Sequence, residues 1–318
     1  MCEDLLNFPQ NFEGHLRLGE NFLLDGKTTE AISHFEAAYD EKDSLVANQW
    51  LVEALSQENR YQEALKIANE KRRDYLIDAR LLDKYLELLL GTQQLITCRI
   101  IALSYLKEAE KIAAIEQRVA EIEKFLSTYQ SQQLAEKIER LSSMQPKSYE
   151  LNQFLTELET LPLVSYLLLT KNILGDSRYP LLLRTLLLEK LVYLKVDQEV
   201  LIFDFEGKQH QVVPSQLKPV REQQVFLNAI KYLQDFLADG TDEQLTQLTH
   251  EQQLYFNCLY PFADRWIKDE ERWVQTCLSP YQEILAVPLK QRPTSEGQTE
   301  IMLLEKLKKS LTESFAGG

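Results

Sequence analysis

The chain has 318 residues, a net charge of −14, and is 44% apolar and 26% charged. That balance describes a folded chain rather than a disordered one, and the excess negative charge argues against nonspecific affinity for nucleic acid or anionic lipid. Ten Gly and ten Pro are roughly half the ~12% share of an average globular protein, which favours long helices over a strand-and-turn fold.

In chain order, residues 12–24 and 28–39 read as two helices joined by Asp25-Gly26-Lys27. Leu18-Gly19 is followed by Phe22, Ala31, Phe35 and Ala38 at intervals of 3, 9, 4 and 3. Such spacing suits two short helices packed back to back, with a small residue where the backbones meet and larger apolar residues above and below. These residues resemble the tetratricopeptide repeat: six of its eight signature positions agree, while His15 and Asp43 depart. Ala64 lies 33 residues after Ala31 and Cys98 lies 34 after Ala64, so two further repeats are expected at about 45–78 and 79–112. A lone repeat cannot bury its apolar face, which favours counting three.

From 106 to 129, Ile112, Ile115, Val119, Ile122 and Leu126 form a seam at alternating intervals of 3 and 4 on a long helix. Leu134, Ile138 and Leu141 mark a second helix. An intramolecular helical hairpin is the first expectation, and a homodimer seam through about 112–129 is the alternative. Met144-Gln145-Pro146-Lys147 ends the second helix and marks the expected domain boundary.

Helices follow near 148–159, 163–174 and 180–194, the last apolar almost all round and so expected to be buried. Glu199–Phe205 alternates, with Leu201, Phe203 and Phe205 on one face. Glu206-Gly207 turns the chain, Lys208–Val213 returns, and Pro214 ends a β-hairpin. Further helices are expected at about 221–238, from an N-cap at Thr241, at 250–259 and at 262–277. A loop bearing Pro280, Pro288 and Pro293 then precedes a helix at 298–314 and a tail, Ala316-Gly317-Gly318.

The fold class is therefore mostly α: tetratricopeptide-like repeats at 1–112, a long connecting helix or hairpin at 113–144, a helical domain with one β-hairpin (about 199–213) at 145–290, and a C-terminal loop and helix at 291–318. No apolar run reaches the ~18 residues of a membrane span. Met1-Cys2-Glu3-Asp4 lacks the basic and apolar regions of a secretory signal, so a cytoplasmic location is expected. Cys2, Cys98, Cys258 and Cys277 have no metal or disulfide spacing and read as reduced thiols.

Motifs for chemistry are absent. Gly26-Lys27-Thr28-Thr29 resembles the end of a phosphate loop, but position 21 is Asn where that loop needs Gly, and helical periodicity replaces the required strand. His15, His34, His210 and His250 are far apart in sequence and have no metal-ligand spacing. No nucleophile elbow or Cys/His pairing is visible, so no enzyme, metal or cofactor is expected. Trp266 and Trp273, seven apart on the expected 262–277 helix, read first as core and second as an aromatic ledge for a peptide or ligand.

The tetratricopeptide resemblance implies a helical scaffold that binds a protein or peptide in a concave groove. It places Leu16, Gln49 and Asp83 at one groove-lining position of the three repeats and Glu20, Glu53 and Glu87 at another, with Leu23 and Leu24 beside them. The basic and Asn residues with which chaperone-binding members hold a terminal carboxylate are missing from these positions. A glutamate row implies instead a basic or amino-terminal segment as partner, with no nucleic acid or membrane. The remainder of the chain resembles, more weakly, uncharacterised tetratricopeptide-containing cytosolic proteins of Gram-positive bacteria. The second reading is a regulatory receptor whose C-terminal domain binds a small molecule or signalling peptide; the third is an enzyme with an unrecognised site.

Overall fold

A computed structural model of the chain describes residues 11–238, 240–281 and 298–316. The expected loop at Pro288 and Pro293, the stop at Asp239, the N-terminal tetrapeptide and the last two residues lie outside them. Among the described residues the protein is helical apart from one two-stranded antiparallel hairpin, and no helix is long and apolar enough to cross a membrane. The chain divides into two compact units, one of residues 1–131 with 159–162 and one of 132–158 with 163–318. The boundary falls near 131 rather than at 144–147. The helix before Met144 belongs to the second unit, where its Leu141 is buried and its Arg140 pairs with Glu157.

The first unit is built from successive helix pairs: α1 (Phe12–Leu24) with α2 (Thr28–Glu41), α3 (Leu45–Gln57) with α4 (Tyr61–Glu70), and α6 (Ala79–Gly91) with α7 (Leu95–Tyr105). The short turns between partners fold each pair back on itself. Ala31, Ala64 and Cys98, the expected equivalents, are all fully buried, as are Phe35, Ala68 and Ala102 one turn further on. Gly19 fits here because a Cβ at that position would stand 2.5 Å from the Phe35 ring, so only the bare backbone of α1 can lie against α2.

One helix was not foreseen, α5 (Arg72–Ile77), which carries the fully buried Tyr75 inward. The Tyr75 hydroxyl donates to Asn48 Oδ1 at 3.1 Å, and Asn48 Nδ2 donates to the Ile67 carbonyl at 2.8 Å and to the Tyr39 hydroxyl at 3.2 Å. Asn48 has no exposure at all, so these bonds satisfy an amide that would otherwise be costly to bury.

The long helix α8 (Ala109–Tyr129) closes the unit. Val119 and Leu126 are buried in its core, and Ile115 and Ile122 pack against that core. Four of the five seam residues, all but Ile112, thus pack within the unit. Arg99 of α7, itself buried, reaches Glu116 Oε2 at 2.9 Å and both oxygens of Glu123 at 2.6 and 3.1 Å.

The second unit begins with α9 (Ser131–Ser143) and α10 (Leu151–Glu159), followed by α11 (Leu163–Leu174) and the buried α12 (Leu181–Tyr193). Strands β1 (Val200–Phe203) and β2 (Gln209–Val212) pair Val200 with Val212 and Phe203 with Gln209. Of the two faces, Val200 and Ile202 are buried, whereas Leu201 is 37% exposed. Both faces of this strand are apolar, so alternation alone could not choose between them. At the turn, Asp204 Oδ1 accepts the amides of Glu206 and Lys208, each at 2.9 Å, and Gly207 adopts φ +79°. Only glycine takes that conformation without strain.

Helices α13 (Gln224–Phe236), α14 (Asp242–Leu259), α15 (Ala263–Trp266), α16 (Glu270–Leu278) and α17 (Gln298–Ala316) complete the unit. Thr241 caps α14 in a reciprocal capping box with Gln244, and the helix then runs through 250 without a break. The expected 262–277 helix is instead two, because the Asp269 side chain caps a new start by accepting the Arg272 amide at 2.9 Å.

Candidate functional site

The resemblance pointed to the inner face formed by α1, α3 and α6. Of these helices only α6 lines a cleft of about 690 Å³, through Arg80, Asp83, Lys84, Glu87, Leu90 and Gly91, together with Tyr61 of α4 and Arg118 and Ile122 of α8. Of the residues expected to line a groove, Asp83 and Glu87 do so. Glu53 on α3 joins them through Lys84, whose Nζ lies 2.9 Å from Glu53 and 3.0 Å from Glu87.

Leu16, Glu20, Leu23 and Gln49 do not line this cleft. Leu16 is buried in the core of the first unit and Leu23 packs against that core, so neither offers a partner a free apolar surface. Leu24, 86% exposed, is the apolar residue left open on α1. Glu20 is half-buried on α1, apart from the Lys84 cluster.

Lys84 alters the electrostatics of the glutamate row. Burial on its own would raise the Glu53 pKa, yet the hydrogen bonds from Lys84 and Gln57 hold it below the usual carboxylate range. Burial would likewise lower Lys84, but its bonds to Glu53 and Glu87 keep it above the usual lysine value. Two of the three glutamates thus share one internal ammonium, which offsets one of their two negative charges. Asp83, Arg80 and Arg118 are exposed and form no ion pair among the described residues, so the cleft presents both signs of charge. Lys84 was legible as the residue three before Glu87, on the same helical face.

Other expectations meet different outcomes. His15 and His34, 19 residues apart, come together with their Nδ1 atoms at 3.1 Å, and Phe22 stacks on His34 at 5.3 Å. Burial, and secondarily the neighbouring His15, lowers the His34 pKa. No group of three or more His, Cys, Asp or Glu is placed to hold a metal among the described residues. Cys98 and Cys277 are buried thiols pushed up to about 12 by desolvation, the reverse of what a nucleophile needs.

The aromatic ledge is not formed. Trp273 is fully buried, with its Nε1 donating to Gln252 Oε1 at 2.8 Å, and Trp266 sits on a separate helix with its ring edge-on to Phe205 at 5.9 Å. The break at Asp269 removes the single helix on which the two indoles were expected to share a face.

Comparison of the chain with family models, with curated proteins and with solved structures finds no match.

Proposed function

We propose that the protein is a noncatalytic scaffold that holds an extended segment of a protein partner against the first unit. The observation that carries this reading is the α6–α8 cleft, in which Asp83, Arg80 and Arg118 stand exposed without internal ion pairs on rigid helices. The likeness of residues 12–112 to tetratricopeptide repeats supports it, since successive helix pairs carry their small residues at equivalent buried positions.

Lys84 narrows the partner. A purely basic segment would have to displace Lys84 from Glu53 and Glu87, whereas a segment carrying both signs can meet Asp83 with a basic or amino-terminal group and Arg80 and Arg118 with a carboxylate. Each exposed ion pair supplies only ~0–1 kcal/mol, so charge selects the partner and backbone and apolar contacts must supply most of the affinity.

The test is a peptide array of mixed-charge, basic and acidic segments probed with the full chain, followed by titration of the strongest binder. Mixed-charge peptides should prevail, and Asp83→Lys and Arg118→Glu should each weaken them while leaving circular dichroism unchanged. Equal binding by wild type and both variants would remove the cleft from the account.

A further inference from the structure

A second cleft, of about 730 Å³, lies wholly within the second unit, between the start of α12, the turn of the hairpin and residues 145–147. Its size suits a small molecule. Arg184, one turn into α12, lines it and is only 8% exposed. The guanidinium is held in place by two carbonyls: Nε donates to Tyr179 at 3.1 Å and Nη1 to Phe203 at 3.3 Å. The guanidinium also lies 5.8 Å over the Phe203 ring and feels the charge of Asp176, but among the described residues no carboxylate comes within ion-pair distance of it and Nη2 has no hydrogen-bond partner.

A largely buried cation with no carboxylate in direct contact is unusual, because desolvating a charge is costly unless it is paired. The acids around this cleft all make their direct contacts with other groups. Asp204 accepts two turn amides and meets His210 Nε2 at 2.7 Å. Glu206 pairs with Lys208 at 3.0 Å, and Asp176 pairs with Arg178 at 2.6 Å. The anion that would complete Arg184 is thus not supplied by these side chains.

Two further features converge on the same space. Pro180, the N-cap of the thirteen-residue α12, provides no side-chain cap, and Pro180 and Leu181 line the cleft. The free amides and positive end of a helix favour an anion there. Lys147, which also lines the cleft, is exposed, has its Nζ 5.9 Å over the Tyr149 ring, and forms no ion pair among the described residues.

We propose that this cleft binds a phosphate-bearing small molecule, its phosphate seated on Arg184 between the N-terminus of α12 and Lys147. Guanidinium, ammonium and helix amides together match a dianion better than a singly charged carboxylate. The site makes the second unit a ligand-sensing module, independent of the cleft in the first.

The experiment uses the full chain and inorganic phosphate as the probe, at constant ionic strength against chloride, with acetate as the carboxylate control. The Arg184 Nε–Hε resonance, assigned through bonds in the wild-type protein, should shift saturably with phosphate and much less with acetate. Arg184→Lys keeps the charge but loses the planar fork, and should weaken phosphate about tenfold or more. Lys147→Ala, at an exposed position that leaves the fold intact, should weaken it several-fold. An Arg184 resonance that ignores phosphate, an equal response to acetate, or unchanged phosphate affinity in Lys147→Ala would each overturn the proposal, even if Arg184→Lys did not fold.

Discussion

Lys84 on α6 reaches Glu53 on α3 at 2.9 Å, joining the first helices of two successive pairs. Its removal should be felt in titration more than in stability. In Lys84→Met the Glu53 pKa should rise toward the ordinary carboxylate value, as followed by NMR of the side-chain carboxyl. Glu53 is depressed in the folded state, so its contribution is present above the unfolded pKa of about 4.3 and is lost as pH falls through the folded value. The variant should lack that acid-side loss. Because the pair is more than a third exposed on the glutamate side, the change at neutral pH should be only ~0–1 kcal/mol.

Arg99 should behave quite differently. It is buried between Glu116 and Glu123, and truncating it leaves the largely buried Glu123 facing α7 without its cation. Arg99→Ala should destabilise the first unit by about 3–5 kcal/mol in urea melts. Replacing the trio together, with Arg99→Met, Glu116→Gln and Glu123→Leu, should recover much of the loss. A small effect of Arg99→Ala alone would show that α8 is not held in this way.

Gly19→Ala should cost about 1–3 kcal/mol, because the new methyl would stand 2.5 Å from Phe35 in a packed interface. In the Phe35→Leu background the same change should cost less, since the ring that it strikes is gone. Additive effects in a double-mutant cycle would contradict the contact.

The first unit should also lose stability as pH falls below the ordinary histidine value of about 6.5. His34 has a lowered pKa in the folded state, so the unfolded chain takes up its proton first. Above that pH both states are neutral and His34 contributes no slope. His34→Asn should flatten the urea midpoint between neutral and mildly acidic pH, and a slope unchanged by the substitution would assign the effect elsewhere.

Much of the helical frame was legible in the residues. The 163–174 helix, the breaks at Asp25-Gly26-Lys27 and at Pro214, and the Thr241 cap follow from periodicity and local hydrogen bonding within a turn or two. The buried positions of Ala31, Ala64 and Cys98 follow from a repeat length that recurs. The candidate cleft was half legible: the tetratricopeptide resemblance pointed to Asp83 and Glu87, while nothing in the sequence pattern marks Arg80 or Arg118. Arg118 comes from α8, 35 residues after Asp83, and no local pattern brings it there.

Local order is what the sequence by itself determined, because backbone geometry imposes periods of 3.6 and 2 that any stretch of residues displays alone. Tertiary structure decided which of two apolar faces of β1 is buried, since β1 packs on α11 and that surface selects Val200 and Ile202 over Leu201. It also decided that Leu16 and Trp273 are core rather than contact surface, that Glu53 and Glu87 share the Lys84 ammonium, and that Arg184 is buried without a carboxylate in direct contact. Each of these outcomes depends on which distant side chains share a space, and long, flexible or ambiguous residues take their roles from that juxtaposition.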